Sequence, residues 1–190
     1  MNKLPFRLHQ PKRTFEKEYA NYRTYKDYLR EDFNQRCGYT DCPDNWFGGA
    51  RTFHIDHFLP KKKYPELEND YSNLIYSCSY VNILKSDDEE NFLDPCKEDF
   101  NKYFYRTNQG EIKAVKDSKA AVYMYNKLQL YLQRYSIIWK LEKIHSTLKK
   151  LHVYRNKLSK ENETYSKIID LIVELDDQLN TYIDYLAAHQ

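Results

Sequence analysis

Phe53-His54-Ile55-Asp56-His57-Phe58-Leu59-Pro60 is the stretch on which the reading of this chain turns. Strict alternation puts Phe53, Ile55 and His57 on one face and Thr52, His54 and Asp56 on the other, the pattern of a strand over Arg51 to Phe58. Pro60 ends it. Alternation also separates the neighbours Asp56 and His57, so a twist or bulge near the strand end is expected if they are to converge. Both residue types suit chemistry. A neutral imidazole accepts a proton near pH 7, and a carboxylate is a hard oxygen ligand for Mg²⁺ or a similar ion.

Working downstream, the lysine run Lys61 to Lys63, Pro65 and the acidic Glu66 to Asp70 read as a loop or broken turn. Tyr71 to Ser77 predicts a second short strand. Ser79 to about Glu90 predicts a helix, with Val81, Leu84 and Lys85 on neighbouring turns. Phosphodiester hydrolysis needs a base that generates hydroxide, a cation for the phosphate and leaving oxygen, and alignment of the two.

The strings Ile55-Asp56-His57-Phe58-Leu59-Pro60, Asn73-Leu74 and Cys78-Ser79-Tyr80-Val81-Asn82-Ile83-Leu84-Lys85 together resemble the HNH endonuclease family. That family carries Asp-His-x-x-Pro on a first strand, Asn-Leu before a second, and Cys-x-x-Cys-Asn-x-x-Lys opening a helix. The match covers roughly residues 37 to 96. Each piece alone is a weak signal, and their order gives them weight. The resemblance implies that Asp56 and Asn82 bind a catalytic Mg²⁺ or Mn²⁺, that His57 is the general base, and that Asn73 orients its ring. It also implies that Lys85 stands near the scissile phosphate or braces the site. His54, on the Asp56 face, joins the metal or contacts phosphate. On the other reading, His54 and His57 are ordinary strand residues and Asn73 and Asn82 turn and cap residues. The rival function is a non-catalytic, zinc-stapled module that binds nucleic acid or protein.

Cys37, Cys42, Cys78 and Cys96 are the four cysteines, and metal ligation suits them better than two disulfides if the chain is cytoplasmic. Many HNH proteins hold a second, structural zinc with two Cys-x-x-Cys knuckles. Here the first knuckle is Cys37-x4-Cys42, and Val81 stands where the second knuckle has its other cysteine. The expected Zn²⁺ site is Cys37, Cys42, Cys78 and Cys96, a four-ligand set. Should Cys96 lie too far away, either a histidine completes it or the thiols are free and buried. A metal would help the Arg36 to Ala50 loop, which has few apolar residues with which to fold alone.

The 190 residues allow one domain, or a small catalytic module with a helical appendage. Few glycines (4), with 31% charged and 16% aromatic residues, fit a folded, helix-rich chain. Most of the 19 tyrosines are expected in the core, with base stacking a secondary use. No apolar run approaches the roughly 18 residues of a bilayer span, and no signal-peptide core is seen, so cytoplasmic location and no membrane partner are expected.

Phe15, Tyr19, Tyr22, Leu29 and Phe33 predict a leading helix from about Thr14 to Gln35, and Phe104 to Val115 predicts a hairpin around Asn108-Gln109-Gly110. Val122 to Leu151 and Tyr165 to Leu186 give two long apolar stripes, an antiparallel helical pair broken at Ser159 to Asn162. Residues 112 to 160 carry 12 Lys/Arg against 2 Asp/Glu, and 161 to 190 carry 1 against 7. The basic run is either a track for DNA phosphates or a solvated helix face neutralised by the acidic one.

The expected fold is therefore α+β and mostly helical. It comprises an N-terminal helical segment (1–36), a zinc-stapled ββα-metal module (37–100), a β-hairpin (101–116) and a helical hairpin (117–190). The layout also looks, more loosely, like HNH proteins of bacterial anti-phage defence, such as the nuclease subunit of the Septu system. That likeness implies an ATPase protein partner that gates cleavage.

Overall fold

A computed structural model of the chain describes residues 3–188. It is an α+β fold, about 49% helical, with small antiparallel sheets and a long C-terminal helix. It divides into two compact units, 1–135 and 136–190. Among the described residues, no helix is long and apolar enough to cross a membrane.

The first unit holds two sheets. Strands β2 (Phe53–His57) and β3 (Leu74–Cys78) pair antiparallel, and helix α2 (Ser79–Lys85) follows β3 directly and packs on both strands. All five residues of β3 are buried, so both of its faces are covered. Helix α1 (Lys26–Asp32) packs against β3. The second sheet runs β1 (Leu4–Pro5), β4 (Phe104–Arg106), β5 (Ile112–Ala114). Its β4–β5 turn is the predicted hairpin, with Gly110 at φ 78°, a left-handed position that favours glycine. Pairing of β1 with β4 has no local sequence signal, since two residues show no periodicity. Arg106, 1% exposed, ties this sheet to the loop before β2. Its guanidinium donates to the carbonyls of Phe6 (3.2 Å), Gly110 (2.9 Å) and Thr40 (3.0 Å).

The leading helix is far shorter than the spacing predicts. Asn21 accepts a hydrogen bond from the Arg23 amide at 3.0 Å and so caps a short 3₁₀ turn, Tyr22–Tyr25, that runs into α1. Upstream of it the chain folds back. The Thr14 amide and hydroxyl both donate to the Asp32 carboxylate at 2.6 Å, and the Lys12 amide reaches the Asp32 carbonyl at 3.3 Å. The aromatic spacing serves an aromatic cluster instead, in which the Phe15 ring lies 3.9 Å from Tyr28 and 5.6 Å from Tyr71. Helix α2 also stops early, at Ser86, whose φ of 51° leaves the helix.

Helix α3 (Lys119–Lys127) is capped by Ser118, whose hydroxyl accepts from the Ala121 amide. The stripe from Val122 to Leu151 is split, because Gln129 turns the chain at φ 50° before helix α4 (Gln133–Arg155) begins. The second unit joins most of α4 to helix α5 (Glu163–Ala188). Ile144 and Leu148 of α4 bury against Ile168 and Ile172 of α5, flanked by Leu151, Leu175 and Leu179. Lys140, early in α4, lies 5.2 Å from the Tyr182 ring, late in α5, as an antiparallel pair requires.

Candidate functional site

Strand and helix periodicities meet at the interface of β2 and α2. His54 and Asp56 are two apart on a strand and share a face. Asn82 and Lys85 are three apart on a helix and share a face. The two faces meet. Asn82 Nδ2 donates to His54 Nδ1 at 3.3 Å, and Lys85 Nζ lies 3.5 Å from Asp56 Oδ2. Tyr39 Oη donates to the same Asp56 oxygen at 2.6 Å. Lys85 is wholly buried and Asp56 is 5% exposed. Burial pushes the Asp56 carboxyl up to about 6, with Lys85 and Tyr39 pulling it down.

The β2–β3 register is one-to-one from Phe53↔Cys78 to His57↔Leu74, so no bulge brings Asp56 and His57 onto one side. Their side chains part as alternation dictates. His57 Nε2 faces the Glu68 carbonyl at 2.9 Å, and its ring meets the Tyr22 ring edge-on at 4.8 Å. A carbonyl oxygen can only accept, so Nε2 carries the hydrogen and Nδ1 of the neutral ring keeps its lone pair. Burial lowers the pKa of His57, and the Lys61 and Lys85 charges lower it further against the pull of the Glu68 carbonyl. The neutral, proton-accepting form therefore prevails at pH 7.

Asn73 acts one step further back than the sequence predicts. Among the described residues it makes no hydrogen bond to the His57 ring. Its Oδ1 accepts from the Leu59 amide (2.8 Å), and its Nδ2 donates to the carbonyls of Leu59 (2.9 Å) and Leu67 (3.4 Å). The Phe58 amide also reaches the Asn73 carbonyl at 2.8 Å. Asn73 thus staples the chain leaving β2 to the segment that delivers the Glu68 carbonyl. Lys85 braces the site from the other side, donating to the His57 carbonyl at 2.9 Å.

His54 and Asn82 line a cavity of about 420 Å³, together with Tyr22, Arg23, Lys26 and Ile55. No carboxylate lines it. A larger cavity, about 580 Å³, is lined by four carboxylates (Glu16, Glu18, Glu66, Asp70) against two cations (Arg13, Lys17), a balance that disfavours an anion. The smaller cavity is the one whose chemistry suits a phosphate.

Among the described residues no three His, Cys, Asp or Glu side chains are arranged to hold a metal ion at this cavity. Asp56 Oδ1 accepts no hydrogen bond among the described residues, and it belongs to the same strand face as His54.

The cysteines divide. Cys37, Cys42 and Cys78 are buried and act on one another electrostatically. Against the effect of burial, hydrogen bonds from Cys78, Thr40 and the backbone bring Cys37 down to about 6, a thiolate at neutral pH. Burial lifts Cys42 to about 11. Cys96 has other neighbours. Burial raises it to about 12, and the charges acting on it are those of Arg13, Asp94, Arg7 and Asp32. Among the described residues, no three His, Cys, Asp or Glu side chains are arranged to hold a metal ion, so the expected four-cysteine set is not assembled.

Sequence reasoning missed Tyr22, Arg23, Lys26 and Tyr39. Their placement depends on how the segment before β2 folds back, and no motif marks them. No family model matches this chain, and a search of curated proteins also gives no match.

Proposed function

We propose that this chain hydrolyses phosphodiester bonds of nucleic acid, DNA first, with His57 as general base and a divalent cation held by Asn82, His54 and Asp56. The observation that carries the reading is the bond between His57 Nε2 and the Glu68 carbonyl, which leaves Nδ1 as an oriented acceptor of low proton affinity. The resemblance to HNH endonucleases supplies the same role for that residue.

The cation, when bound, would supply positive charge to the phosphate and to the leaving oxygen. The chain supplies the rest. His57 Nδ1 takes a proton from water. Asn73 holds the loops that fix the ring, and Lys85 holds Asp56 and the strand end in place. A structural zinc belongs to the same proposal and draws support from the Cys37 thiolate beside Cys42 and Cys78. A gating ATPase partner and a role in anti-phage defence rest on the sequence likeness alone.

One observation favours a second reading, a binding module without catalysis. Asp56 Oδ2 is already engaged by Lys85 and Tyr39, as in a purely structural buried pair. A plasmid-cleavage assay with Mg²⁺ or Mn²⁺ against an EDTA control separates the two. Metal-dependent cutting is expected, falling by roughly 10²-fold or more in His57→Ala. Full cutting by a well-purified His57→Ala protein would remove the assignment of the base. Binding with no cutting under any metal would leave the second reading standing.

A further inference from the structure

We propose that Arg23 and Lys26 form a clamp for the phosphates of a phosphodiester strand, seating it in the cavity beside His54 and Asn82. This rests on reading that cavity as the substrate site.

The two cations line the cavity directly. They are three residues apart where the 3₁₀ turn passes into α1, so they project from the same side of that turn. Neither makes an ion pair among the described residues. The conspicuous lysine run of the sequence behaves differently. Lys61 pairs with Glu68 at 2.8 Å, Lys62 with Asp87 at 2.6 Å and Lys63 with Glu89 at 3.2 Å. Its charge is largely spent within the protein, whereas that of Arg23 and Lys26 is open to an incoming anion.

The segment that carries the clamp is also fixed in place. The Tyr22 amide donates to Asn69 Oδ1 at 2.8 Å, and the Tyr22 ring rests edge-on against His57. A strand held by Arg23 and Lys26 is therefore registered to the general base through one intervening ring. His54 adds a further donor. Its Nδ1 accepts from Asn82, so Nε2 of the neutral ring carries a hydrogen. Cationic and hydrogen-donating groups with no carboxylate among them suit phosphate oxygens.

The test is equilibrium binding without added Mg²⁺ or Mn²⁺ and without chelator, so that the zinc proposed above stays in place, with the probes checked intact on a gel. A short labelled DNA strand, its duplex and the RNA strand of the same sequence are titrated with the full chain across a salt series. Wild-type protein is expected to bind at least one of them with marked salt dependence, and the preferred probe names the strand type. Arg23→Ala/Lys26→Ala is expected to lose about tenfold in affinity at low salt. Its salt slope should fall by about 1.4 for a single strand or about 1.8 for a duplex, two phosphate contacts' worth. Arg23→Lys/Lys26→Arg should keep most of the slope. Since neither side chain is ion-paired and Arg23 only overlies the Tyr22 ring at 5.6 Å, circular dichroism should match wild type and the thermal midpoint should shift little. An alanine pair with wild-type affinity and slope overturns the clamp, as does a wild-type protein that binds none of the probes. If the slope falls as expected but wild type never cuts with metal, the clamp stands and the hydrolase reading fails.

Discussion

Lys85 Nζ lies 3.5 Å from Asp56 Oδ2 with the amine wholly shielded from water, so this lysine is part of a buried ion pair. Removing one partner of such a pair strands the other charge. Lys85→Met should cost about 3–5 kcal/mol in urea unfolding. Asp56→Asn/Lys85→Met should cost less than the two single changes together, because neither then leaves an uncompensated charge. A loss below about 1 kcal/mol in Lys85→Met would show that the pair contributes little.

His57 should titrate below its ordinary 6.5, since burial and nearby lysines disfavour the charged ring. NMR titration of its ring protons in metal-free protein measures this directly. The sign for stability follows from which state takes the proton first. As pH falls through about 6.5, the unfolded chain protonates this histidine before the native one does, so stability declines on acidification. If the hydrolase reading holds, the acid limb of the cleavage profile also lies below 6.5. An NMR value above 6.5 would contradict the environment described here.

Asn73 is the residue whose role changed most between sequence and structure, and its new role has a distinct signature. Its side chain serves the Leu59 amide and carbonyl and the Leu67 carbonyl. Asn73→Ala should therefore lose about 1–3 kcal/mol of stability. If the hydrolase reading holds, cleavage should fall as the Glu68 segment loosens its hold on His57. Asn73→Asp, which keeps the acceptor and loses the donor, should land between alanine and wild type. A variant of full stability but abolished cleavage would instead indicate direct contact with the reacting groups.

How much was legible follows from how local each signal is. The pair of strands and the helix after them were readable because alternation and helical spacing are local, and β2 differs from its expected range by only a few residues at its ends. The β4–β5 hairpin was readable from its glycine turn. The leading helix was not, because Phe15 and Tyr19 have helical spacing but pack from an irregular segment, Phe15 onto Tyr25, Tyr28 and Tyr71 and Tyr19 onto Tyr25 and Tyr28. At the site, the strand facing of His54 and Asp56 was correct, and the expected convergence of Asp56 with His57 did not follow, since no bulge interrupts the register. Tyr39, Arg23 and Lys26 were invisible because only long-range folding brings them to β2 and α2.

The cysteines give the sharpest separation between two metal schemes. A four-cysteine zinc site predicts that Cys78→Ser and Cys96→Ser lose zinc alike. The structure groups Cys37, Cys42 and Cys78 and gives Cys96 the company of Arg13 and Asp94. Zinc content of purified protein, read by elemental analysis alongside unfolding, distinguishes the two. Cys78→Ser is expected to lower stability, because it removes the partner that donates to the Cys37 thiolate, and, if a zinc is held there, to lower zinc content by removing one of its ligands. Cys96→Ser should leave zinc content unchanged and shift stability by less than about 1 kcal/mol, as a partly exposed thiol replaced by a hydroxyl. Loss of zinc in Cys96→Ser would restore the four-cysteine set and require residues 94–96 to move toward the other three. A wild-type protein purified without chelators and carrying no zinc would make the three thiols a hydrogen-bonded part of the core and nothing more.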